Sequence, residues 1–259
     1  LRLIETTAPL AAALKPNIAF FEVFGAAGWS ILEQVLARSH EKFDESMAGD
    51  EFTRGTLEKR VERFINADCG ACWTEPATPR PTDGAVALDW IVPGTLGDDA
   101  PLGVAASRDA SERLHRLDRP APARTATRTS ATMTPAQGRL RVAHGLALGG
   151  YIGASIEWKP ARRATGPVTA WLALVETLPE GTEGSPVARN LVRNVLIPAW
   201  DGHESLSKAK LATFHESRPM NIPEGARPER LRVIGWVEDA QGRVLGVAQT
   251  RCASTGQRG

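Results

Sequence analysis

The run Val61-Glu62-Arg63-Phe64-Ile65-Asn66-Ala67-Asp68-Cys69-Gly70-Ala71-Cys72-Trp73 joins a stretch suited to a buried strand to two thiols three positions apart. Val61–Ile65 is predicted as the strand, and Cys-Gly-Ala-Cys as the turn that follows it. With Cys72 opening a helix, Cys69 stands at the N-terminus, where unpaired N–H groups and the positive end of the helix dipole lower a thiol pKa. The thiolate is the species that attacks a disulfide, so this placement bears on reactivity. The spacing leaves three readings open: a redox pair, half of a metal site, or two structural thiols.

Downstream, Ala85–Val92 is a nearly continuous apolar run, the pattern of a strand buried on both faces. Asp89 is the odd residue in it. Its expected place is the solvent-facing end of the strand; buried beside the thiols it would be a proton carrier. Asp98–Leu117 is predicted as a helix, capped by Asp98 or Asp99, with Leu102, Ala106, Ala110 and Leu114 on one stripe. Residues 119–137, with Pro120, Pro122 and Pro135, form a linker or an extended edge segment. From Arg139 short strands alternate with turns: Arg139–His144, Tyr151–Trp158, Val168–Glu176, Val187–Ile197, Ala209–Glu216 and Arg230–Glu238. A final hairpin turns at Asp239-Ala240-Gln241-Gly242 into Arg243–Thr250. This spacing predicts an antiparallel β-sandwich, with Trp171, Leu174, Trp236 and Val244 in its core. Upstream, residues 1–56 are predicted helical. Trp29–Phe43 is amphipathic there and is expected to pack against the rest of the protein.

Composition narrows the function. A formal net charge of +1 over 259 residues lacks the basic excess of an electrostatic nucleic-acid binder. No apolar run of transmembrane length is present. Three cysteines do not make a disulfide scaffold, so the core must come from apolar burial. Trp73 stands where c-type haem attachment needs His. Zinc needs two further ligands, for which Cys252, His115, His144, His203 and His215 are candidates, none of them paired at ligand spacing. Neither a phosphate-binding glycine loop nor a Gly-x-Ser-x-Gly elbow appears.

The segment 61–72 resembles the cysteine-bearing segment of a bacterial, mostly exported, thioredoxin-like family of unknown function. Val86–Trp90 and Asp98–Leu117 follow in that family's order, and Leu231–Gln249 is similar to its terminal hairpin. Val187–Arg193 resembles a further strand of Asn-Val-Val-Arg type. Departures are Trp73 in place of the usual proline, Pro76, Pro79 and Pro81 soon after the motif, and no clear counterpart of the cis-proline strand beyond Thr134-Pro135.

The resemblance implies an α+β protein: a thioredoxin-like α/β domain with a C-terminal antiparallel β-sandwich and a helical N-terminal extension. The expected division is 1–56 extension, 57–137 thioredoxin-like domain and linker, 138–259 sandwich. The expected function is thiol–disulfide exchange, with Cys69 attacking and Cys72 resolving, protein thiols or disulfides as partners, and neither cofactor nor metal. The alternative is a non-enzymatic binding or assembly module, acting through the sandwich or the N-terminal helices, with the pair a structural disulfide or part of a zinc site. The expected location is periplasmic or exported. Cys252, near the end of the predicted hairpin, is expected to stay unpaired.

Overall fold

The computed structural model describes residues 57–133, 137–162, 166–200 and 213–250. The expected N-terminal helices, Thr134-Pro135, His203 and Cys252 lie outside them. Strands dominate. In chain order they are β1 (Lys59–Asn66), β2 (Ala85–Val92), β3 (Thr125–Ala131), β4 (Gly138–Leu148), β5 (Tyr151–Pro160), β6 (Val168–Leu178), β7 (Arg189–Leu196), β8 (Phe214–Asn221), β9 (Leu231–Asp239) and β10 (Val244–Gln249). Among the described residues two short α-helices accompany them, α1 (Gly70–Trp73) and α2 (Arg108–Arg116).

Seven strands form one mixed sheet in the order β10-β9-β6-β7-β2-β1-β3, and β4-β5-β8 form a second, antiparallel sheet. In the large sheet β2 pairs parallel with β1 and, at Asp89–Leu191, with β7; the remaining pairings are antiparallel. The sheet curls until its edges meet, where Thr132, just past β3, bridges Val244 on β10. Arg60 of β1 consequently reaches Glu238 of β9 at 2.8 Å, although β2, β7 and β6 lie between them in the sheet.

Strand alternation divides the core accordingly. The concave face gathers Phe64 of β1, Leu88 and Trp90 of β2, Trp171, Val175, Val192, Ile234 and Trp236, and α2 adds Ala110 and Leu114. On the convex face of β6, β9 and β10, the small sheet packs Ile152, Ile156 and Trp158 over Leu172, Leu174, Val233 and Val237. The sheets approach closely at Gly235, where an added Cβ would lie 2.5 Å from Val142 Cγ1. Elsewhere on the convex face Ile65, Ile91, Leu178 and Leu191 pack with Cys72 and Trp73.

This architecture corrects the expected fold class. β1, β2 and α2 do not build a thioredoxin-like α/β domain; among the described residues they belong to a strand-rich fold whose main sheet draws strands from both sides of residue 137. Among the described residues helix content falls short because Asp98–Leu117 is not one helix. It is two 3₁₀ turns, Gly97–Asp99 and Gly103–Ala105, followed by α2. Gly97 adopts φ +58°, and Pro101 cannot donate an intrahelical hydrogen bond. Ser107, whose side chain accepts from Ala110 N at 3.2 Å, is the real cap.

Candidate functional site

Cys69 and Cys72 are joined by a disulfide, with Cα atoms 5.3 Å apart. β1 delivers them: Ala67 N bonds Val92 O at the end of the parallel β1/β2 pair, and the chain then turns. Cys69 N donates to Asn66 O at 3.0 Å and Cys72 N to Cys69 O at 3.0 Å, closing one helical turn. The prolines at 76, 79 and 81 follow too soon for a longer helix, as the sequence implies. Cys69 is partly exposed, whereas Cys72 is 4% exposed.

Asp68 pins the turn from outside. Its carboxylate accepts from Thr95 N (2.7 Å), Thr95 Oγ1 (2.9 Å) and Leu96 N (3.2 Å). These bonds, the Thr95 amide foremost, hold its pKa below the usual aspartate range. Gly94 leaves room for it, since an added Cβ would collide with the Asp68 carboxylate.

Behind the pair lies a charged network that departs from the sequence expectation. Asp89 does not face solvent; it is fully buried. Its oxygens accept from Arg63 Nη2 (2.7 Å), Arg189 Nη1 (2.8 Å) and Asn190 N (3.1 Å). Two guanidiniums pair with this buried carboxylate, so its expected solvent-facing place is corrected. Arg189 carries the connection onward. Nη2 donates to Trp73 O at 2.8 Å, and the guanidinium carbon lies 4.4 Å from the centre of the Trp73 ring. Burial lowers the Arg189 pKa, Asp89 opposes that, and Arg63 adds to it. Trp73 Nε1 donates to Glu183 O in the β6–β7 loop at 2.8 Å. Helix α1 is thus held by β2, β7 and that loop. The signal for Arg63 and Asp89 is present in the chain: charges inside runs that must be buried on both faces require each other.

A second network fills part of the concave side. Glu62 accepts from Arg60 (2.9 Å) and Arg113 (2.7 and 3.0 Å), and Glu238 accepts from the same two arginines. Both arginines lie over the Trp236 ring, and Arg113 also over Trp171. Burial would raise the Glu62 pKa, but Arg60, Arg113 and Arg128 more than reverse this and bring it down to about 2. This network and the disulfide lie on opposite faces of the sheet, with β1 and β2 between them.

Among the described residues no group of three or more His, Cys, Asp and Glu side chains is placed to hold a metal ion, so His115, His144 and His215 are not gathered around the pair. No helix among them is long and apolar enough to cross a membrane.

No family model matches the chain. Among curated proteins, it is similar over short stretches to orotidine 5′-phosphate decarboxylases. The match is 59% identical over 34 residues in Roseiflexus sp. (strain RS-1), covering 13% of this chain and 12% of that protein. In Leptospira interrogans it is 33% over 91 residues, covering 35% and 32%. In Corynebacterium glutamicum (strain R) it is 27% over 88 residues, covering 34% and 29%. The chain therefore spans between about an eighth and a third of the length of these relatives. Among solved structures, HBP35 of Porphyromonas gingivalis aligns over 75% of this chain and 74% of its own, with a TM-score of 0.47 and 11% identity.

Proposed function

We propose that this protein carries out thiol–disulfide exchange with protein thiols or disulfides through Cys69 and Cys72. The observation that carries the reading is the asymmetry of the pair: one sulfur-bearing residue partly exposed, the other buried, on a turn anchored from three sides. A substrate thiolate attacks Cys69 Sγ, the Cys69–Cys72 bond breaks, and Cys72 leaves as a thiolate. A second substrate thiol then displaces Cys69, so the substrate is oxidised by two electrons and the pair is reduced. In the reverse direction Cys69 attacks and Cys72 resolves. A disulfide that persists is suited to a periplasmic or exported location. The decarboxylase similarities cover too small a share of those proteins to carry their activity here.

The test is equilibration of the native protein in graded glutathione buffers, with alkylation and mass mapping, alongside a Cys72→Ser variant offered a thiol-bearing protein. Reversible opening of the pair and a trapped mixed disulfide at Cys69 are expected. A pair that opens only when the protein unfolds would instead favour a second reading, a non-enzymatic module in which the disulfide is a staple. The burial of Cys72 and Trp73 is what favours that reading. Replacing both cysteines with serine then lowers stability without changing partner binding.

A further inference from the structure

Beside the buried Cys72 lies a cavity of about 200 Å³, lined by Arg63, Cys72, Glu75, Arg124 and Arg189 among others. Its charge is unbalanced. Three guanidiniums and one carboxylate line it, and Asp89 behind Arg63 and Arg189 supplies one further negative charge, leaving a surplus of one positive charge. One observation shows where that surplus is available. Arg124 is exposed and forms no ion pair among the described residues. Thr125 and Thr127 of edge strand β3 add hydroxyls to the same wall, opposite Ile65 and Arg63 on β1.

We propose that this cavity binds the carboxylate of a small thiol that exchanges with the disulfide from the Cys72 side. The inference rests on the exchange reading above and adds the substrate class. The volume equals about six or seven water molecules at ~30 Å³ each, room for a molecule the size of cysteine or 3-mercaptopropionate. Its carboxylate pairs with Arg124. Its thiolate attacks Cys72 Sγ, the bond to Cys69 breaks, and Cys69 leaves as a thiolate that takes a proton from solvent. A second thiol molecule releases the ligand as its own disulfide, and both electrons remain on the cysteines.

The experiment measures disulfide opening in the full chain by 3-mercaptopropionate, 2-mercaptoethanol and cysteamine, with rates expressed per thiolate. The carboxylate thiol is expected to be faster than the neutral one, and the cationic one slowest, with each step about threefold, the size of a solvent-screened ion pair. Arg124→Glu is expected to abolish or invert that ratio, and sodium propionate to slow 3-mercaptopropionate alone. Equal rates for the three thiols, or a ratio that Arg124→Glu leaves intact, overturns the carboxylate site while the exchange reading stands. A disulfide that none of the three thiols opens in the folded protein overturns the exchange reading and this inference with it.

Discussion

Asp89 shows what a single residue decides here. An aspartate in the middle of an otherwise apolar strand is costly to bury unless paired, and its two guanidinium partners come from β1 and from the start of β7. One of them, Arg189, also caps the Trp73 carbonyl and covers its ring, so the carboxylate positions the disulfide turn without touching it. Asp89→Asn leaves both arginines buried without a carboxylate. The expected loss is about 3–5 kcal/mol, read as a lowered urea midpoint. The opened turn should also let thiols reduce the disulfide faster than in the parent protein. An unchanged midpoint would mean that Arg63 and Arg189 find other acceptors.

At the level of elements, α2 is held at its start by Ser107 and along its face by Ala110, Arg113 and Leu114. Ser107→Ala removes the side-chain acceptor for Ala110 N and is expected to cost about 1 kcal/mol. Amide exchange should accelerate in the first turn of α2 and leave β9 protected. The charge pattern of this helix suits its dipole, with Asp109 in the first turn and Arg113, His115 and Arg116 in the last. Its position matters more than its length, because Arg113 is the bond between the helix and two distant strands, β1 and β9.

For the whole molecule, that same cluster sets the response to acid. Glu62 has a pKa of about 2 in the folded protein against an ordinary value of 4.5, and Glu238 is lowered too, because burial is outweighed by hydrogen bonds and charge from Arg113 and Arg60. A depressed carboxylate stabilises the fold fully above its unfolded pKa and loses that contribution as pH falls through the folded one. Stability is therefore expected to be level above pH ~5 and to fall between about pH 4.5 and 2. The urea midpoint as a function of pH checks this, and a ¹³C titration of the Glu62 carboxyl checks its source. A second expectation concerns cooperativity. Since β1–β3 and β6, β7, β9 and β10 share one curled sheet, far-ultraviolet circular dichroism and tryptophan fluorescence should report a single coincident unfolding transition. Two separated transitions would instead support independent units on either side of residue 137.

Local chemistry was legible in the chain. The apolar run at 85–92 has the same bounds as β2, the turn at 239–242 sits where Asp239 Oδ1 accepts from Gln241 N and Arg243 N, and the prolines after Cys72 limit α1 to one turn. Each depends on neighbours in sequence: strand periodicity, an aspartate turn, a missing amide hydrogen. What only the tertiary structure decided is which strands share a sheet. Residues 61–65 look the same in sequence whether β1 pairs within a small α/β unit or within a sheet that closes through β10. Pairing of Arg60 with Glu238 or Asp89 with Arg189 spans 178 and 100 residues. Alternation shows that a charge will be buried, and the partner that makes the burial tolerable is set by the curl of the sheet.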